Sequence, residues 1–431
     1  MDYRFIIIFV LGISTSSAFG MSSGEDSLVL SSCKDDSSHL EQVGLEQMPP
    51  ELIEYICSFL SLTDIKNLRQ CSRMLSTAWD SNRVLSVSLA NRDFHNEVAL
   101  MSHLTGLCSK LKNFRNPLYI TLYWALLKEF PLSLLLLNNL RHLYVDWNQV
   151  QGLTPAIQAL SRLEVLSIGC NKLQMSDIDQ IAKLPSLTDL DIRENQLKDL
   201  PESFYKLYKL RSLVLGGNQL SLQVLSRIGT SLTNLQKLDL IGSTLQSLPE
   251  QISQLKNLRI LLLAFNKLAS DSLRHISVLP KLQKLDVSYN DLHEFPTFEG
   301  PWQKLTSLVL TGNYLPVHVI ASLCIQFPLL RRLCIASNGI RFLPDEITRL
   351  SYLSNLDVRC NEIEDSSILA KCAQLHNLEK LDLSHNYITK IPEDIFTLTG
   401  LKILYLKGNK LSDTLRGLLR QRFSPATKII F

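Results

Sequence analysis

The stretch Leu378–Ile388, LEKLDLSHNYI, states a pattern, LxxLxLxxNxL, that recurs twelve times from Leu140 to the C-terminus. The copies begin at Leu140, Leu163, Leu187, Leu210, Leu235, Leu258, Leu282, Leu305, Leu330, Leu353, Leu378 and Leu401, with spacings of 23 to 25 residues. A fixed period in this range marks a stacked repeat architecture. Within Leu381-Asp382-Leu383, alternate side chains of a short strand point to opposite faces, so the two leucines face inward and the aspartate outward. The asparagine fills the turn after the strand, where its side chain bonds neighbouring backbone groups as the ladder stops. Eleven copies keep it, from Asn148 to Asn409. The exception is Ser243, whose shorter side chain predicts a loss of roughly 1 kcal/mol of hydrogen bonding. A single copy cannot bury its own apolar edge, so stability must come from stacking neighbours.

The pattern resembles that of leucine-rich repeat proteins. The resemblance implies an α/β leucine-rich repeat solenoid, a horseshoe, over residues 140–431. Copies of 23 residues mostly carry a proline-opened tail, as in LPESFYKLYKL from Leu200 and LPEQISQLKNL from Leu248. Copies of 24 or 25 carry tails such as MSDIDQIAKLPSL, with room for a helical turn. The expected unit is therefore a pair of copies with alternating extended and helical outer segments. Residues 412–431, SDTLRGLLRQRFSPATKIIF, read as a C-terminal cap.

Composition narrows the function classes. The chain has 431 residues, is 45% hydrophobic and 20% charged, and has a formal charge of +3. With no basic stripe there is no electrostatic case for nucleic acid. Nine cysteines are scattered without a CxxC pair or histidines at ligand spacing, so they read as reduced thiols and imply no metal or other cofactor. No phosphate loop, nucleophile elbow or zinc-protease motif is present, and no enzymatic activity is expected. Cys360 and His385 fall at corresponding positions of adjacent copies, a relation that the repeat generates by itself.

Residues 1–20 carry Arg4 before an apolar run, Phe5–Ile13, and then Ala18 and Gly20 at the positions of a cleavage site. This is similar to a secretory signal peptide and too short for a membrane span; the other reading is an over-extended start, with Met21 as first residue. Residues 21–45 form a polar linker, rich in Ser, Asp and Glu between Ser22 and Ser38, which predicts disorder.

Residues 46–85 include MPPELIEYICSFLSLTDIKNLRQCSRMLSTAWDSNR from Met48. Pro50 suits the first position of a helix carrying Leu52, Ile53, Ile56, Phe59 and Leu60. Thr63 and Asp64 cap a second with Ile65, Leu68 and Cys71, and Ser72–Trp79 gives a third. Three helices of this length bury too little surface to stand alone. The stretch resembles an F-box: Met48-Pro49 and Glu51 stand at its LPxE positions, followed by its apolar helix, Asp64-Ile65 and Cys71-Ser72-Arg73. The resemblance implies binding to the Skp-type adaptor of a cullin–RING (SCF-type) ubiquitin ligase through Pro49, Leu52, Ile56, Leu60 and Leu68. It implies in turn that the repeats hold a target protein. The competing reading is a secreted or surface repeat scaffold with no ubiquitin role.

The short LPxxIxxL tails are similar to plant-type or bacterial repeats rather than the longer repeats of most animal and plant F-box proteins. With the signal-like start, this implies a eukaryotic-like bacterial effector acting in the eukaryotic cytoplasm of a host. Residues 86–139 show no clear repeat. Val84 opens a strand-like alternation and Leu118–Leu137 reads as buried helix, so the region is expected to be a helical joint capping the solenoid.

Target binding is expected on the concave face. Its central strand positions include Tyr144, Asp191, Asp239, Leu262, Asp286, Val309, Asp357, Asp382 and Tyr405. The five aspartates form a candidate acidic stripe, which Lys237, Lys284 and Lys380 on the same strand face would neutralise in part. Tyr144, Trp147, Phe265, Tyr289 and Tyr405 are the aromatic anchor candidates, since large aromatics dominate interface energetics.

Overall fold

The computed structural model describes residues 85–90, 97–114, 116–296, 304–364 and 367–431. The signal-like segment, the linker and the F-box residues Pro49, Leu52, Ile56, Leu60 and Leu68 lie outside the described residues. The chain divides into two units, one ending at Leu210 and the other running from Arg211 to Phe431.

In the first unit, strands β1 (Leu85–Ala90), β2 (Leu118–Tyr123), β3 (Leu140–Tyr144), β4 (Val165–Ser167) and β5 (Asp189–Asp191) pair in parallel, each with the next. Helix α1 (Glu97–Leu111) follows β1 and packs against a 3-10 turn at Leu132–Leu136. Two rungs therefore precede the first copy recognised from sequence. The reading of Leu118–Leu137 as buried helix is corrected here. Its apolar run belongs to two inward faces: Leu118, Ile120 and Leu122 on the strand, and Leu134 and Leu137 on the far side of the rung. A continuous apolar run hides the break between them, because neither periodicity dominates a segment that changes element midway.

The second unit stacks β6 (Ser212–Val214), β7 (Lys237–Asp239), β8 (Ile260–Leu262), β9 (Lys284–Asp286) and β10 (Ser307–Val309). It continues with β11 (Arg332–Cys334), β12 (Asn355–Asp357), β13 (Lys380–Asp382), β14 (Ile403–Tyr405) and β15 (Lys428–Ile430). Every pairing is parallel and in register, so equivalent residues of successive copies are neighbours. This is a leucine-rich repeat solenoid, and its core is the column of inward leucines, of which Leu238, Leu261, Leu285 and Leu308 are wholly buried.

The alternation of outer segments follows copy length. Copies with the proline-opened tail form 3-10 turns at Glu202–Lys206, Glu250–Gln254, Asp345–Arg349 and Glu393–Thr397. Each turn is preceded by a proline with φ near −70°, the value that the pyrrolidine ring imposes anyway. Longer copies form α2 (Met175–Ile181), α3 (Leu222–Ser231), α4 (Val317–Gln326) and α5 (Ser367–Ala373), and α6 (Asp413–Arg422) follows the last copy. The copy from Leu258 departs from this rule: its seven-residue segment Ser270–Ile276 is a 3-10 helix.

The asparagines join rungs as well as closing turns. Asn266 Oδ1 accepts from the Leu245 N–H of the preceding rung at 2.9 Å, and its Nδ2 donates to the carbonyls of Leu240, Leu263 and Ala264. Asn290 repeats these four bonds on Leu268, Leu263, Val287 and Ser288. Ser243 breaks the series. It is buried, and its hydroxyl has no hydrogen-bond partner among the described residues.

Candidate functional site: the open face of the strands

One backbone feature organises this face. In all twelve recognised copies the residue before the asparagine position has a left-handed backbone, with φ between 51° and 72°. Four of these are glycines and eight are not, among them Trp147, Phe265 and Tyr289. A left-handed non-glycine residue costs roughly 1–2 kcal/mol, which the bonded rung on either side sustains. The turn aims each of these side chains out of the strand layer, and the three aromatics are 44 to 58% exposed. Phe265 and Tyr289 stack with centroids 4.4 Å apart and planes 12° from parallel. Gly312, at the same position of the next copy, makes room for this stack: a Cβ there would stand 2.5 Å from the Tyr289 ring. Together the three copies present a flat aromatic step.

The five aspartates share a local bond. Asp191, Asp239, Asp286, Asp357 and Asp382 each accept from the N–H two residues on, at 3.0–3.2 Å, and so finish their strands. Asp239 and Asp382 are buried, at 6% and 7% exposure, so much of the acidic stripe serves the backbone. Arg193 and Arg359 pair with Asp191 and Asp357, from two positions along the same copies. Burial pushes the Asp357 carboxyl up, the Arg359 N–H and guanidinium pull it back, and the neighbouring Asp382 charge adds to the rise. Register places Asp239, Leu262, Asp286 and Val309 side by side, and likewise Asp357, Asp382 and Tyr405. Lys380 lies over the Tyr405 ring, 5.1 Å from its centre.

In the first unit the structure assembles a second aromatic group around Tyr144 and Trp147. The unrecognised rung at Leu118–Tyr123 brings Tyr119 onto His142, with rings 3.7 Å apart, and Trp124 onto Trp147 at 5.6 Å. Trp124 also has a left-handed backbone and is 62% exposed. Sequence reasoning missed Tyr119, Tyr123 and Trp124 because their rung lacks the turn asparagine, with Ala125 in its place. The alternation of LYITLY was the available signal. Among the described residues, no group of His, Cys, Asp and Glu is arranged to hold a metal ion, and no helix is long and apolar enough to cross a membrane.

Comparison with known proteins agrees with this architecture. The leucine rich repeat family model matches residues 161–220, 233–292 and 376–419, and the F-box domain model matches residues 45–86. The chain thus combines an F-box domain with leucine-rich repeats, two kinds of protein-interaction module. An internalin from Listeria monocytogenes is 26% identical, with a TM-score of 0.55 over 69% of this chain and 82% of that one. A leucine-rich repeat protein from Leptospira interrogans is 24% identical, with a TM-score of 0.55 over 83% and 98%. The ectodomain of the plant receptor kinase GASSHO1/SCHENGEN3 from Arabidopsis thaliana is 24% identical, with a TM-score of 0.51 over 76% and 38%. The last two likenesses are of fold alone. No curated protein sequence matches the chain.

Proposed function

We propose that the chain is a substrate-recognition adaptor of an SCF-type cullin–RING ubiquitin ligase. The observation that carries this reading is the F-box match at 45–86 standing ahead of a leucine-rich repeat array. The F-box would engage a Skp-type adaptor through Pro49, Leu52, Ile56, Leu60 and Leu68, and the open strand face would hold a target protein. The contribution is proximity: the ligase core supplies the chemistry, and the solenoid raises the effective concentration of target lysines. Exposed aromatics on a rigid repeat scaffold support a protein-binding role for that face.

The test is a pull-down of the full chain with a purified Skp-type adaptor, beside Leu52→Asp and Pro49→Ala variants. Binding that the substitutions abolish, with circular dichroism unchanged, supports the reading. A folded chain that does not bind sinks it. The second reading, a secreted or surface repeat scaffold, draws on the likeness to an internalin and on the signal-like start. Export of the chain without adaptor binding would favour it.

A further inference from the structure

Stacking gathers cations that the linear sequence scatters. In the second unit the residue before each strand from β6 to β11 is joined to its equivalent by backbone hydrogen bonds, giving a column of Arg211, Gln236, Arg259, Gln283, Thr306 and Arg331. Beside it, register aligns the first residue of each strand and so places Lys237, Lys284 and Arg332 in a second column. The two columns complement each other over four rungs, with one cation on each: Arg211, Lys237, Arg259 and Lys284. On the fifth rung Lys304, just before Leu305, supplies the charge, and the sixth carries both Arg331 and Arg332. Six successive rungs thus bring cations to one edge of the strand layer, about 4.8 Å apart and about 24 Å in all. No basic stripe is visible in the sequence because each of these residues comes from a different copy or a different position in it.

The charges of this edge are left open. Arg211, Arg259, Lys304, Arg331 and Arg332 are exposed, and Lys237 and Lys284 are half-buried. None of the seven forms an ion pair among the described residues. No carboxylate stands in either column on these rungs. The carboxylates further along the same strands, Asp239 and Asp286, accept from the N–H groups of Ile241 and Ser288, and Asp239 is buried. Arg332 lies in the field of Asp286 and Asp357 without pairing to either. The whole chain has a formal charge of only +3, so the excess is local to this edge. A row of like charges attracts an anionic partner and repels a cationic one.

The row suits an acidic polypeptide better than nucleic acid. Single strands are held by cations interleaved with aromatic rings on which bases stack, and neither column holds an aromatic residue on these rungs. A duplex would also bring phosphates over Asp239 and Asp286 beside the row. An extended polypeptide rises about 3.3 Å per residue, so about eight residues follow the full row. We infer that this edge of the second unit is a docking strip for an acidic segment of the target protein. The inference rests on the reading of the strand layer as the target-binding surface, and it names the chemistry of the segment held there.

The test measures fluorescence anisotropy of fluorescein-labelled octaglutamate with the full chain, beside labelled octaglutamine and octathymidylate. Octaglutamate should bind saturably, octaglutamine should bind at least tenfold more weakly, and raising salt from about 50 mM to about 300 mM should weaken octaglutamate at least fivefold. Arg259→Glu with Arg331→Glu should weaken octaglutamate at least tenfold with circular dichroism unchanged, and the neutral pair Arg259→Gln with Arg331→Gln should weaken it less. Lys198→Glu with Lys390→Glu makes the same change of net charge at exposed sites off this edge, and should leave affinity within about twofold. Equal binding of octaglutamate and octaglutamine, no binding of either, or equal losses in the two reversal pairs would overturn the strip. Tighter binding of octathymidylate than octaglutamate would overturn it in favour of nucleic acid. Cosedimentation with vesicles of about 30% phosphatidylserine, lost in Arg259→Glu with Arg331→Glu, would overturn it in favour of a membrane surface. These outcomes leave the adaptor pull-down untouched, and a failed pull-down leaves this titration untouched, so the two failures are distinguishable.

Discussion

Ser243→Asn should stabilise the second unit. In the other copies the asparagine spans two rungs, and Asn266 makes four hydrogen bonds, one of them to the Leu245 N–H of the rung before. At Ser243 the corresponding donor is the Leu220 N–H on a buried residue, and the serine hydroxyl makes no bond. Asparagine at this position supplies two or three bonds, each worth about 0.5–1.5 kcal/mol net. Ordering its side chain and refitting the turn offset part of this, leaving a gain of about 1–3 kcal/mol. For a unit of this size that raises Tm by roughly 3–8 °C. The assay is urea unfolding followed by circular dichroism, with Asn290→Ser as the reciprocal variant, expected to lose about 1–3 kcal/mol. A midpoint that falls or stays level in Ser243→Asn, with an unchanged denaturant slope, would refute the assignment of rung-to-rung bonding as a stabilising device.

Three further outcomes are expected. Gly229→Ala in α3 should lower the urea midpoint by about 2 kcal/mol of stability, because its Cβ would meet the Gln251 carbonyl of the next rung, which is backbone and cannot swing away; an unchanged midpoint would mean that the rungs separate freely. Burial pushes the thiols of Cys324 and Cys372 up to about 12 and Cys108 to about 11, so these three should resist a thiol reagent at pH 8 while exposed Cys360 reacts; counting thiols modified before and after unfolding checks this. Burial also pushes the Asp146 carboxyl up, against the pull of Ser167 and Gly169. Its charge therefore destabilises the fold above that raised pKa, and stability from this group increases as pH falls through it. Asp146→Asn should raise Tm at pH 7, and the gain should shrink as the pH is lowered; a gain constant with pH would refute the electrostatic cause.

Much of the fold was legible in the residues because the solenoid is nearly one-dimensional. The 23–25-residue period, the inward leucine pairs and the turn asparagine each report a nearest-neighbour contact, and such contacts repeat in sequence as they do in space. The alternation of 3-10 and α outer segments followed from copy length and from the prolines, whose φ is set within one residue, except in the copy from Leu258. The parts that failed are those where a residue's role depends on the neighbouring copy. Leu118–Leu137 read as helix because its missing asparagine hid a rung whose pairing is visible only once β2 lies between β1 and β3. The aspartates stand at the strand positions read for them, and what the pattern did not show is that each also accepts from the N–H two residues on. The left-handed residue before each asparagine carries no residue-type signal, since tryptophan, glycine, cysteine and histidine all occupy it. Sequence alone thus determined the repeat, its core and its F-box companion. Tertiary structure decided which side chains meet across rungs, and so placed Trp124 on Trp147 beside Asp146, because stacking joins residues more than twenty positions apart that no local pattern connects.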